Sequence, residues 1–206
     1  GTTLRNIQPF FADTNTGGIG VSHNGNLTNA ITLRKKLVED GAIFYTTSDT
    51  ETIVQLIARS KRVKTIDKII DALFQIQGGY ALVMLTQKSL IGVRDPYGIR
   101  PLIYGSKDLN NHMVASESVA LDCLGYTINR DVLPGETVIF KLDGSISNYE
   151  YNSPRIFSPC IFEFVYLARP DSTIEGVNVY ESRLSMGRYL ANKIKKSLSK
   201  EELDSI

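Results

Sequence analysis

Apolar residues recur at helical spacing three times in the first third of the chain. From Asn29 to Glu39 the positions Ile31, Leu33, Leu37 and Val38 fit one helical face loosely, and Gly41 stands where a C-terminal cap belongs. The stretch "TTSDTETIVQLIARSKR" predicts a helix from about Asp49 to Ser60, because Ser48 and Glu51 have capping-box spacing and Ile53, Val54, Ile57 and Ala58 mark a buried stripe. Ile66, Ile69, Ile70, Leu73 and Phe74 then keep the period of a third helix, which Gly78-Gly79 is expected to end.

The period changes after those glycines. "YALVMLTQ", "SLIGVRD", "PLIYGS", "HMVASES", "ETVIFKLDG" and "SISNYEYN" are short β-rich runs broken by Gly, Pro, Asn and Asp. They predict an antiparallel meander of hairpins, interrupted by one short helix from about Ser118 to Gly125. "IFEFVYLA" is a further strand candidate, and Val179 to Leu198 is a long amphipathic helix with lysines towards its C-terminal end, where positive charge is favoured. Grouped helices followed by grouped strands predict a layered α+β architecture with helices packed on sheets.

Composition narrows the partners. A chain of 206 residues is long enough to bury a real core, and it fits one large domain or one domain with a piece of another. A formal charge of +1, with no run of like charges before the final "NKIKKSLSKEELDSI", gives no electrostatic reason for nucleic acid or an anionic membrane. Small-molecule chemistry is the expectation. No segment approaches the roughly 18 apolar residues of a membrane span, and "GTTLRNIQPF" lacks the regions of a secretory signal, so a cytoplasmic protein is expected. Cys123 and Cys160 are too few and too far apart for a disulfide framework or a self-contained metal site, and neither His23 nor His112 has companions at ligand spacing. The opening Gly1-Thr2-Thr3 and the stop at "EELDSI" just after a helix suggest a piece of a longer protein.

Three places offer chemistry. His23-Asn24-Gly25 is either a tight turn feeding the first helix or a presentation of two donors, the Asn24 side-chain amide and the Gly25 backbone N–H, suited to an oxyanion forming from a carbonyl. Asp49 is either a favourable charge at a helix start or a fixed anion for an α-ammonium group. In "VRDPYGIRPL" the Asp-Pro and Tyr-Gly pairs are ordinary turn signals, while Arg94 and Arg100 could hold an anion or an internal carboxylate; the structural role is the expectation there.

The order of "HNGNLTNA", "TTSDTE", "GGYALV", "RDPYGIRPL", "VASESVALD", "RDVLPGE" and "PCIFEFVYLARPDS" followed by "VYESR" resembles the glutamine phosphoribosylpyrophosphate amidotransferases, from Gln8 to about Gly187. "HNG" and "SDTE" are shared with other amidotransferases that use an N-terminal cysteine. "RDPYGIRPL" with "FEFVYLARPDS" is much narrower.

The resemblance implies an αββα sandwich of the N-terminal-nucleophile hydrolase type, a class II glutamine amidotransferase domain, over residues 1–157, with 158–206 as the connection and start of a phosphoribosyltransferase domain. Asn24 and Gly25 match the family's oxyanion-hole pair, and Asp49 the carboxylate that holds the amino end of glutamine. The whole enzyme would be a homo-oligomer taking glutamine and phosphoribosylpyrophosphate, with magnesium in its phosphoribosyltransferase site and no cofactor within these residues. Some members carry an iron–sulfur cluster, and Cys160 falls where one ligand would be. Such a cluster needs about four thiolates, so Cys160 is read as a small buried thiol.

Two departures bear on activity. The family's nucleophile is a cysteine at the mature N-terminus, activated by its own α-amine, and this chain begins with Gly1. The family's Arg-Tyr-Ser/Thr segment, whose arginine holds the glutamine carboxylate, would lie before Gly1. Residues 1–206 by themselves are therefore expected to release no glutamate from glutamine and to expose apolar surface. Two rival readings are another class II amidotransferase, such as the glucosamine-phosphate-forming kind, and a degenerate, non-catalytic binding module.

Overall fold

The computed structural model describes residues 3–151, 157–199 and 202. Gly1, the last residue of "SISNYEYN" and the closing "LDSI" lie outside them. Strands β1 (Phe10–Thr14) and β2 (Gly17–Leu27) form an antiparallel hairpin, from Phe10 opposite Val21 to Thr14 opposite Gly17. The other edge of β2 pairs with β3 (Gly78–Thr86), Asn24 lying opposite Ala81 and Gly25 opposite Tyr80.

His23-Asn24-Gly25 is thus strand interior, and the expected turn there is corrected: the chain changes direction at Thr28-Asn29. The positive φ signalled by Asn-Gly serves a close strand contact instead of a reversal. Gly25 has φ +146° and Gly78 has φ +138°; a Cβ on the first would stand 2.1 Å from the Gly79 carbonyl oxygen, and on the second 2.2 Å from that of Asn26. Only glycine lets β2 and β3 approach so closely.

Helix α1 (Ala30–Glu39) stops as expected, with the Ala42 N–H donating to Leu37 O at 2.8 Å across Gly41. Its loose pattern reflects shallow packing, since Leu37 is buried while Ile31 and Val38 are exposed. In α2 (Asp49–Arg59) the Ser48 hydroxyl caps the Thr50 N–H, but Glu51 does not close the box. Its buried carboxylate accepts from the N–H groups of Tyr45 and Thr46 and from the Thr46 hydroxyl, each at 2.7 Å, and so fastens the preceding loop. Ile53, Val54, Leu56 and Ile57 are buried, and Ala58 is exposed against expectation. Helix α3 (Thr65–Leu73) buries Ile69, Ile70, Ala72 and Leu73; Phe74 is 65% exposed, and Gly78-Gly79 begin β3 rather than cap the helix.

The remaining strands divide between two sheets, which corrects the single meander. β4 (Ser89–Arg94), β8 (Glu136–Lys141) and β9 (Ile146–Glu150) complete an antiparallel six-stranded sheet in the order β1-β2-β3-β4-β8-β9. Between β4 and β8 the chain builds a second sheet, β6-β5-β7, from β5 (Ile103–Asp108), β6 (Asn111–Ala115) and β7 (Thr127–Asp131). β7 escapes the sequence pattern because its "TINRD" is polar and mostly exposed.

β3 shows how the layers stack. Tyr80, Leu82 and Met84 join α2 and α3 in one core, while Ala81 and the partly buried Val83 join Leu102, Tyr104, Val132, Val138 and Phe140 in a second core between the sheets. A strand buried on both faces reads as an unbroken apolar run, as "YALVML" does. Helix α4 (Ser118–Cys123) covers the second sheet with buried Leu121, and the layers are α, β, β, α as the resemblance implied.

"IFEFVYLA" is helical, with a π-helical turn at Glu163–Leu167, and the expected strand is corrected. A short apolar run does not distinguish strand from helix, and here no alternate face is buried: Phe162, Val165, Tyr166 and Leu167 are all exposed. A small hairpin, β10 (Thr173–Ile174) with β11 (Val177–Asn178), and α5 (Val179–Ser197) follow. The hairpin is tied to α4, where the Ser118 hydroxyl accepts from the Thr173 N–H at 2.8 Å and Glu117 accepts from the Ser172 hydroxyl at 2.7 Å.

One polar contact crosses the first core. The Tyr151 hydroxyl donates to Arg94 O at 2.7 Å, so the Tyr80 hydroxyl, 2.8 Å away, donates to Tyr151. Burial pushes both phenols well above their ordinary pKa, and both stay neutral. Tyr151→Phe strands two buried polar groups and is expected to lower unfolding free energy by about 1–3 kcal/mol in denaturant titration. A change within experimental error would contradict this.

Candidate functional site

β1 ends its pairing with β2 at Val21, and side chains take over the edge beyond. Gln8 serves His23 as a strand would, its Nε2 donating to His23 O at 3.1 Å and its Oε1 accepting from the His23 N–H. Strand alternation turns the N–H groups of His23, Gly25 and Leu27 to this edge. The Leu27 N–H donates to Asp49 Oδ2 at 3.0 Å. Gly25 stands between these two occupied positions.

Asp49 is the first residue of α2, yet its carboxylate faces β2 because Ser48 already caps the helix. Asp49 Oδ1 lies 3.3 Å from Nδ1 of the buried His23. Burial pushes the Asp49 carboxyl up, but the bonds from His23 and the Leu27 N–H, with the attraction of His23, outweigh it and leave the pKa lowered. Asp49 is therefore ionised at neutral pH. The stability it contributes is present above the ordinary carboxylate range and is lost only as pH falls through its lowered pKa. A cavity of about 590 Å³ opens beside these groups, lined by Gln8, His23, Gly25, Leu27, Thr47 and Asp49 among others.

Asn24 turns the other way, towards the second sheet. Its Oδ1 accepts from Arg100 Nη2 at 2.7 Å and its Nδ2 donates to the Ser116 hydroxyl at 3.1 Å. The Gly25 N–H lies in the plane of β2 at its edge, so an oxygen reaching both donors would sit at the corner between that edge and the inter-sheet face. The structure thus brings Gly25 and Asp49 to one cavity, while the Asn24 amide lies outside its lining, on the inter-sheet face between Arg100 and Ser116.

The loop after β4 fixes Arg100. Buried Asp95 accepts from the N–H groups of Tyr97 at 2.9 Å, Ile99 at 3.1 Å and Arg100 at 3.1 Å. Arg94, 1% exposed, donates to the carbonyls of Gly98, Arg100 and Val132 and pairs with Glu175; Arg100 Nη1 lies 2.8 Å from Glu163 Oε1. Both arginines hold internal carboxylates. Burial raises the Glu163 pKa, Arg100 pulls it back, and nearby Glu117 raises it further.

Cys160 is not the buried thiol expected. Cys123 is exposed on α4 and Cys160 is partly exposed, not buried. Among the described residues no three His, Cys, Asp or Glu side chains converge on one point. No helix among the described residues is long and apolar enough to cross a membrane. Arg100 holds an internal carboxylate, as its loop suggested, but its bond to Asn24 and the contacts of Gln8 and His23 carry no sequence signal, because each acts on a residue distant along the chain or through a backbone group.

Residues 2–123, more than half of the chain, match the glutamine amidotransferase domain family. The chain belongs to this family. The chain is 46% identical over 194 residues to the amidophosphoribosyltransferase of Rhizobium etli, covering 92% of this chain and 39% of that protein. The solved glutamine phosphoribosylpyrophosphate amidotransferase of B. subtilis, complexed with ADP and GMP, superposes with a TM-score of 0.89 at 38% identity, over 93% of this chain and 42% of that one. A structure described as the allosteric regulatory enzyme of purine biosynthesis matches with a TM-score of 0.89 at 38% identity, over 94% of this chain and 41% of that one. The chain therefore spans about two fifths of the length of these relatives.

Proposed function

We propose that this chain is the glutaminase part of an amidophosphoribosyltransferase, which converts phosphoribosylpyrophosphate, glutamine and water to 5-phosphoribosylamine, glutamate and pyrophosphate, the first committed step of purine synthesis. The observation that carries the reading is the edge of β2, where the unpaired Gly25 position and the Asp49 carboxylate line one cavity next to Asn24 in sequence, in a chain 46% identical to an amidophosphoribosyltransferase. Asn24 Nδ2 and the Gly25 N–H would stabilise the oxyanion formed when a thiolate attacks the glutamine amide carbon. The Asp49 carboxylate meets the Leu27 N–H, His23 Nδ1 and the Thr50 N–H, and of its roughly four lone-pair sites it keeps capacity for an α-ammonium. Collapse of the tetrahedral intermediate expels ammonia and leaves a thioester, which water hydrolyses to glutamate. In this reading residues 1–157 form the glutaminase domain and 158–206 lead into the phosphoribosyltransferase domain.

The test is to incubate the intact protein with amide-¹⁵N glutamine and Mg²⁺, offering phosphoribosylpyrophosphate and fructose 6-phosphate together as acceptors. The expected result is ¹⁵N in phosphoribosylamine with equal amounts of glutamate and pyrophosphate. Label delivered to a hexose phosphate would favour another amidotransferase, and the absence of glutamate would favour a binding module.

A further inference from the structure

We propose that Arg100, gripped by Glu163, is a positioning residue for the oxyanion hole: it fixes which end of the Asn24 amide is the donor. The proposal rests on the reading of Asn24 as an oxyanion donor. The two ends of an asparagine amide are nearly alike in shape and opposite in hydrogen bonding. A guanidinium has no acceptor, so Asn24 can meet Arg100 only with Oδ1, and the 2.7 Å contact is of that kind.

The Asn24 NH₂ group is thereby turned to Ser116, with one hydrogen engaged at 3.1 Å and the second left for a carbonyl oxygen. Ser116 cannot set this orientation, because its hydroxyl both donates and accepts and would serve either end of the amide. The charge-assisted bond from Arg100 is also the stronger, by roughly a factor of two.

Arg100 is itself held in place. Its N–H is bound by Asp95, its carbonyl by Arg94, and its second terminal nitrogen lies 2.8 Å from the 5%-exposed Glu163 of the π-helical turn. One terminal nitrogen of the planar guanidinium donates to Asn24 while the other forms an ion pair with Glu163. A lysine ammonium would be a single point charge without that fixed geometry.

The experiment uses the intact protein and compares Asn24→Ala, Arg100→Met, the two combined, and Arg100→Met/Glu163→Met, which removes the buried ion pair as a unit. Arg100→Met is expected to lower glutamine-dependent kcat by roughly 10- to 100-fold, less than outright loss of a donor, with the glutamine KM changed by no more than about threefold. The Arg100→Met/Glu163→Met variant should show the same loss. Synthesis of phosphoribosylamine from added ammonia should be retained in both. Arg100→Met placed on Asn24→Ala should cost nothing further, because the donor it orients is already gone.

Normal kcat in Arg100→Met beside a slow Asn24→Ala, or losses that multiply in the combined variant, would overturn the positioning role and leave the oxyanion hole standing. Parallel loss of the glutamine and ammonia activities in Arg100→Met and Arg100→Met/Glu163→Met would show a structural role and overturn it too. Normal glutamine turnover in Asn24→Ala would overturn both this proposal and the reading on which it rests.

Discussion

Asn24→Ala in the intact protein is expected to lower glutamine-dependent kcat by about 10²–10³, as loss of one oxyanion donor does. Little of that loss should appear in KM, because the ground-state carbonyl is held less tightly than the oxyanion. The substitution also leaves the Arg100 guanidinium and the Ser116 hydroxyl without the amide they bind, so the melting temperature should fall as well. A fall in stability alone does not separate chemistry from architecture. The decisive comparison is with ammonia-dependent synthesis of phosphoribosylamine, which bypasses the glutaminase site and should survive. Parallel loss of both activities would sink the oxyanion assignment.

The second large effect is at Asp49. Neutralising the carboxylate that grips an α-ammonium should weaken glutamine binding by about 2–5 kcal/mol, roughly 30-fold or more, while leaving ammonia-dependent turnover unchanged. Asp49→Asn is suited to the test because its fold contacts can be remade. The remaining carbonyl oxygen can accept from the Leu27 N–H, and the new NH₂ group can donate to His23 Nδ1 once His23 takes the other tautomer. If Asp49 only complemented the α2 dipole, Ser48 would still cap the helix and glutamine turnover would be nearly unchanged.

The helices were legible because their period is local: α2 and α3 carry their buried stripes in consecutive turns, and Ser48 and Gly41 mark boundaries within a few residues. Asn24-Gly25 misled as a turn because the same positive φ serves a close strand contact, and its complement, Gly78-Gly79, lies some fifty residues away in β3. The second sheet was invisible for a related reason. Hairpins show in sequence, but the choice of β8 rather than β5 as the neighbour of β4 depends on how the Asp95 loop folds over itself. "IFEFVYLA" carried no period of either kind. At the site, Asn24, Gly25 and Asp49 were nominated by residue type and resemblance, and the structure puts all three at one end of β2. How they are supported was not legible, although Arg100 was singled out as a holder of an internal carboxylate. Gln8 stands in for a missing strand through an ordinary side-chain amide, and Arg100 reaches Asn24 from 76 residues away.

The most direct measurement is a crystal structure of the intact protein with the γ-aldehyde analogue of glutamine, whose adduct with the nucleophile carries an oxygen where the oxyanion forms. The account predicts that oxygen at about 2.7–3.1 Å from both Asn24 Nδ2 and the Gly25 N–H, with the analogue's ammonium on the Asp49 carboxylate. An adduct oxygen turned to solvent or to other donors, or an ammonium bound away from Asp49, would contradict it.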